Sequence, residues 1–470
     1  MAKSKGKGCL VAVGIIAMLV ILGATWWNQQ DNMGSDTEFE SIVAFAAPKP
    51  LPPIREADNW YPLIKSFSTT IPFPDPLTDQ FDDDAFHGRG GQAILNLSRD
   101  IHKRPNFEAP NKSPYDFDLI YGSRVRALTK YLAAHARRSF ASGDWQTALE
   151  DLEIVDHIGV TVCERGMLVD WLVGRAVTFM ASRERADAFL EGKVPREKCI
   201  EWASRPVVDR REGYLQALRR DLSDFSIPIL RTGRMVNPLR DSNSQEPDKP
   251  PSLFDFSVYS FDAEESMGAD VFYFGRYQRI ETAKALAEVL KAKDEEIRAP
   301  YPSNPSRSQV LLKNLEKLRF PVPTIMEPDS LQEKMEILKY RLALRSRPNE
   351  KGQAFLDLMP LSYGDSERNA RSEELFLRIS AAIGAFRLDQ KRFPATLDEL
   401  VQRGLLEQAP IDPFDGAPVR YDVRRKILWA VGNDIRDDNG KAGDDLVWRL
   451  TPRPNPPFPP TGPSPASPAK

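Results

Sequence analysis

Residues 133–159 read AAHARRSFASGDWQTALEDLEIVDHIG, and the fold turns on the Gly143-Asp144 step in their middle. Ahead of it Leu119, Val125, Leu128, Leu132 and Ala136 recur at intervals that place them along one side of a helix. Behind it Ala148, Leu149, Leu152, Val155 and Ile158 do the same. A glycine turn between two such runs brings the second helix back along the first, so a helix–turn–helix hairpin is expected.

This segment resembles the turn and second helix of a tetratricopeptide repeat, in which a small turn lets an aromatic and an alanine pack the paired helices. One unit matches, and no second copy follows at the period of about 34 residues that such solenoids use. The hairpin is therefore expected inside a larger, mainly α body over residues 81–365. Further helices are expected at Cys163 to Ala188, Val207 to Ser223, Val271 to Glu296, Ser330 to Ser346 and Ser372 to Asp389. Between Ile227 and Phe261, Pro228, Pro238, Pro247, Pro250 and Pro251 predict a long loop, either a docked arm or a flap.

Upstream, CLVAVGIIAMLVILGATWW carries no charge from Cys9 to Trp27. With Gly8 it makes a helix rising roughly 30 Å, the thickness of a bilayer's hydrocarbon core. Lys3, Lys5 and Lys7 on one flank and Trp26 and Trp27 on the other favour lipid over a protein interior. A transmembrane signal anchor over residues 8–28 is expected, with residues 1–7 as a cytoplasmic basic tip and the bulk outside. A cleaved signal peptide is the rival, but the apolar run is long for one. The localisation implied is the bacterial inner membrane, single-pass, with the C-terminal bulk extracytoplasmic. Residues 29–80, holding Pro48, Pro50, Pro52, Pro53, Pro62, Pro72, Pro74 and Pro76, read as a stalk. Trp60, Tyr61, Phe67 and Phe73 suggest that its distal part packs on the body. Residues 451–470 hold nine prolines and read as a disordered tail.

The formal net charge is -3, and setting the three N-terminal lysines aside makes the remainder more negative. A nucleic-acid partner, which calls for a basic face, is not expected. Only Cys163 and Cys199 lie outside the apolar run, so they could pair or be buried small hydrophobes.

From about Ser372 the sequence changes character: LDQKRFPATLDELVQRGLL, then PIDPFDGAPVRYDV, KILWAV and GNDIRDDNGKAGDDLVWRL. The region resembles the globular part of the major pseudopilins of type II secretion. The pieces that match are Phe393-Pro394, Leu397 to Leu400, Asp412-Pro413-Phe414, Tyr421 and the loop from Gly432 to Asp445. The resemblance implies a small α+β domain over residues 366–450, as found at the end of single-pass bacterial membrane proteins with a helical middle. It also implies calcium, held by Asp434, Asp444 and Asp445 with a carbonyl at or near Val431. Ile435 stands where the family has glycine, and Asp437 to Gly440 lengthen the loop. The composition agrees in kind, since calcium takes six to eight hard oxygens and this loop is rich in them. Asp, Asn and Gly are also what plain turns use, and no EF-hand can be placed. Pilus assembly does not carry over, because no glutamate occurs in the first thirty residues.

Chemistry is not signalled elsewhere. The four histidines, His87, His102, His135 and His157, form no zinc pair, and neither a nucleophile elbow nor a phosphate loop occurs. Asp82 to Asp84 with His87 read as an acidic helix start. The expectation is a membrane-anchored, non-enzymatic binding or scaffold protein with protein partners in the cell envelope. The alternative is an envelope hydrolase or carbohydrate-active enzyme of unrecognised type.

Overall fold

The computed structural model describes residues 32–67, 89–109, 119–233, 276–301, 307–316, 330–347, 349–358 and 366–452. The apolar run at 8–28, the segment Asp82 to His87, the loop at 234–275 and the tail beyond 452 lie outside the described residues. Among the described residues no helix is long and apolar enough to cross a membrane.

The fold is mainly helical with a small antiparallel sheet. In chain order the helices are α1 (Asp36–Val43), α2 (Tyr61–Phe67), α3 (Arg89–His102), α4 (Leu119–Ser142), α5 (Trp145–Arg165), α6 (Leu168–Glu191), α7 (Arg196–Ser204) and α8 (Arg211–Asp221). They continue as α9 (Ile227–Thr232), α10 (Arg279–Arg298), α11 (Arg307–Glu316), α12 (Leu331–Ser346), α13 (Glu350–Leu358), α14 (Ser366–Gln390) and α15 (Asp398–Gln402). The strands β1 (Arg420–Asp422), β2 (Ile427–Ala430) and β3 (Leu446–Arg449) pair in sequence order, with Tyr421 opposite Leu428 and Leu428 opposite Trp448. Two compact units result. One comprises Met1–Ala47, Leu222–Lys293 and Arg307–Ser362; the other comprises Pro48–Asp221, Asp294–Ser306 and Tyr363–Lys470.

In the second unit, α4 and α5 form the expected hairpin. Gly143 takes φ +85°, a left-handed value that favours glycine, and Asp144 caps α5 by accepting from the Thr147 N–H at 3.2 Å. The next turn sends α6 back along α5, and here two glycines set the spacing. A Cβ on Gly174 would lie 2.3 Å from the Gly159 carbonyl oxygen, and one on Gly159 would lie 2.7 Å from that of Gly174, so the backbones touch. α14 then packs along α6 and α7, bringing Gly384 against the Phe189 backbone and pairing Arg175 with Glu373. One continuous apolar core runs from Trp60 through α3 to α7 and α14 into β2 and β3, ending at Leu450.

In the described part of residues 29–80, Trp60, Tyr61 and Ile64 are buried in the second unit, in keeping with a distal part that packs on the body, and Phe39 and Val43 of α1 are buried in the first. Pro48, Pro50, Pro52 and Pro53 lie between α1 and α2, and Pro62 sits in the first turn of α2, where no backbone donor is needed. Residues 366–450 likewise share one core with the helices that precede them. The reason is α14, whose apolar residues occupy more than one face, so that the helix is buried against α6 and α7 as well as the sheet. Cys163 and Cys199 are separate, buried free thiols.

In the first unit, Arg279 at the start of α10 is 4% exposed and works as a clamp. Its guanidinium donates to the carbonyls of Met33 and Gly34, the latter at 3.1 Å, pairs with Asp36 at 2.7 Å, and lies over the Phe39 ring. Asn32 joins Tyr277 and Arg279 through two backbone hydrogen bonds of 2.9 and 3.0 Å. The Asn349 side chain, just before α13, accepts from the Gln278 N–H at 2.8 Å and the Thr282 hydroxyl at 3.0 Å.

Candidate cation loop

β2 is buried along its whole length, and Val431 follows it before the chain turns at Gly432, which takes φ +69°. From there to Asp445 the loop carries the aspartates named by the resemblance. Its backbone is left-handed at Ile435, Asn439, Gly440 and Gly443 as well. Ile435, at φ +55°, is a β-branched residue in a conformation suited to glycine, which is the substitution already noted in the sequence. It keeps a packing role, lying partly buried against the core.

The three aspartates fare differently. Asp445 is 5% exposed and turned into the loop: Oδ2 accepts from the N–H groups of Gly440 at 2.7 Å and Lys441 at 3.2 Å, and Oδ1 from that of Asp438 at 3.4 Å. Asp444 pairs with Lys441 at 2.5 Å, both side chains being largely exposed. Asp434 accepts from the Arg436 N–H at 3.1 Å. The backbone after Val431 does meet Asp444, since a Cβ on Gly432 would lie 2.6 Å from the Asp444 carbonyl oxygen. Among the described residues no three His, Cys, Asp or Glu side chains group where a metal ion could sit.

Sequence reasoning missed the group that organises this end of the sheet. Asp412 is fully buried; it accepts from the N–H groups of Phe414 at 2.8 Å and Val431 at 3.0 Å, and from Arg420 Nη1 at 2.5 Å. Burial pushes the Asp412 carboxyl above its ordinary range, opposed by these donors. Arg420 also binds Asp415 and reaches Asp437 at 3.4 Å. Asp437 in turn accepts from the Trp429 indole N–H at 2.9 Å, which holds it below the usual carboxylate range. The signal was present in Asp412-Pro413-Phe414, one of the pieces that carry the resemblance. Its buried ion pair needed Arg420, which only the fold brings near.

Chemically, the loop is rich in carboxylate and carbonyl oxygens, hard donors of the type calcium takes, but the described carboxylates are not gathered into one group. Asp445 has three of its lone pairs committed to backbone donors, so its part in binding a cation would be limited. A close histidine–carboxylate contact, His135 Nδ1 to Asp151 at 2.6 Å, lies inside the α4–α5 hairpin, where burial raises the Asp151 carboxyl. No known protein family, curated protein or solved structure matches the chain.

Proposed function

We propose that this is a single-pass, membrane-anchored protein of the bacterial inner membrane. Its extracytoplasmic bulk acts without catalysis, as a binding or scaffold protein for envelope partners. The reading rests on the uncharged run from Cys9 to Trp27 with lysines on one flank only, which is more stable in lipid than in water. The α4–α5–α6 array supports a binding role by analogy with helical repeats, whose paired helices present extended surfaces.

The calcium reading belongs to the same proposal. Asp434, Asp444 and a carbonyl near Val431 would hold the ion, which would neutralise the acidic loop and tie it to the sheet. Carbonate extraction of membranes, together with reporters fused at the C-terminus that fluoresce or act on only one side of the membrane, tests the placement. A chain released into the supernatant, or a reporter active only in the cytosol, rejects it.

A further inference from the structure

α12 has two opposite apolar faces. Ile337, Tyr340 and Leu344 are buried in the first unit. On the other side Leu331 is 79% exposed, Met335 46% and Leu342 49%, with Leu338 half-buried between them. These four fall at steps of four, three and four residues and so form one stripe along the helix. At about 100° per residue, Lys334 lies on one edge of the stripe and Lys339 on the other. The helix is fixed in its register by a capping box, in which Ser330 Oγ accepts from the Glu333 N–H at 3.1 Å and Glu333 accepts from the Ser330 N–H at 2.9 Å.

We infer that this stripe docks on the lipid surface of the membrane that holds the N-terminal run, an inference resting on the anchor reading above. The occupant follows from chain length. Trp27 ends the apolar run, and Asn32 is already hydrogen-bonded to Tyr277 and Arg279. Five residue steps span at most roughly 17 Å, so the first unit is held within that distance of the bilayer. Asn32 bridges Gln278, whose N–H is bonded to Asn349. α12 ends only three residues before Asn349, which places Leu342 within roughly 30 Å of Asn32, the residue that the tether of roughly 17 Å holds near the membrane. An apolar row with a lysine on each side suits the interface between acyl chains and phosphates, the ammonium groups reaching the phosphates while the row enters the chains.

The test uses the full chain in vesicles of phosphatidylethanolamine and phosphatidylglycerol, with benzoylphenylalanine placed singly at Leu331, Met335, Leu342 or, as a control, at exposed Glu336 on another face of the same helix. After irradiation, lipid adducts identified by mass spectrometry should be at least about fivefold more abundant at the three stripe positions than at Glu336. Equal yields at Met335 and Glu336, in protein that still resists carbonate extraction, overturn the docking and leave the anchor standing. Adducts to a second copy or to another segment of the same chain also overturn it. Protein that carbonate releases from the vesicles overturns the anchor reading itself, and the docking with it.

Discussion

The Trp448 indole N–H, on the last strand, donates to Ser380 Oγ in the middle of α14 at 3.1 Å. Trp448 is 3% exposed, packs on Phe376 and Phe179, and carries the Arg183 guanidinium over its ring. The sheet is thus bolted to both α14 and α6. Trp448→Ala should cost about 3 to 5 kcal/mol, the range for a buried aromatic. In urea unfolding followed by far-UV circular dichroism, the loss should appear in the helical signal of the second unit. Loss confined to a small sheet transition would show that the two fold independently.

The contact between Gly159 and Gly174 leaves no room for a side chain on either helix. Gly174→Ala would drive a methyl into the Gly159 carbonyl, and because backbone on both sides must move, a loss on the order of 3 kcal/mol is expected. Gly122→Ala, where nothing lies within 4 Å, is the matched control and should be neutral or slightly stabilising. Thermal unfolding of the two variants checks the difference.

Asp170 at the start of α6 accepts from the Met167 N–H at 2.8 Å, yet burial pushes its carboxyl up to about 6. Its folded value exceeds its unfolded one, so the proton is held more tightly in the folded state. That contribution to stability is complete below the unfolded value and is lost as pH rises through about 6. Asp170→Asn keeps an acceptor for Met167 and has no proton to lose. Relative to the parent it should gain on the order of 2 kcal/mol between pH about 4 and about 7. Denaturant midpoints across that range measure it, and parallel pH curves for the two proteins would count against the argument.

Asp445 and Asp444 are neighbours with separable roles. Asp445→Ala removes three backbone hydrogen bonds from a buried carboxylate and should cost on the order of 2 kcal/mol with or without metal. If the loop binds calcium, millimolar calcium should raise the melting temperature of the full chain, and Asp434→Asn with Asp444→Asn should abolish that rise while leaving the metal-free stability nearly unchanged. The whole chain is required, because α14 is packed on α6 and α7. No rise in the parent protein removes calcium from the proposal.

The helical class was legible where apolar residues kept a clear period, as from Leu119 to Ile158, and the Gly143-Asp144 turn stands where expected. Other helices shifted by a few residues. α6 begins at Leu168, five residues after Cys163, since Gly166 ends the preceding run and the Asp170 carboxylate captures the Met167 N–H. Ile227 to Thr232 was assigned to a loop on the strength of Pro228, but proline suits a first helical turn. The shared core of residues 48–67, 119–221 and 366–450 could not be read, because local periodicity says which face is buried and not what covers it. The candidate loop was visible as a composition; Asp445's preference for the loop's own N–H groups was not, since it depends on backbone directions at Gly440 and Lys441.

Arg183 donates to the Arg449 carbonyl across 266 positions of sequence, and Trp60 to Thr161 across 101. A ribosome must therefore extend the chain past Arg449 before the second unit can close. Until β3 arrives, the parts of α14 and β2 that Trp448 and Leu450 cover stay exposed. Slow maturation, and a need for protection from self-association during synthesis, follow from that order of events.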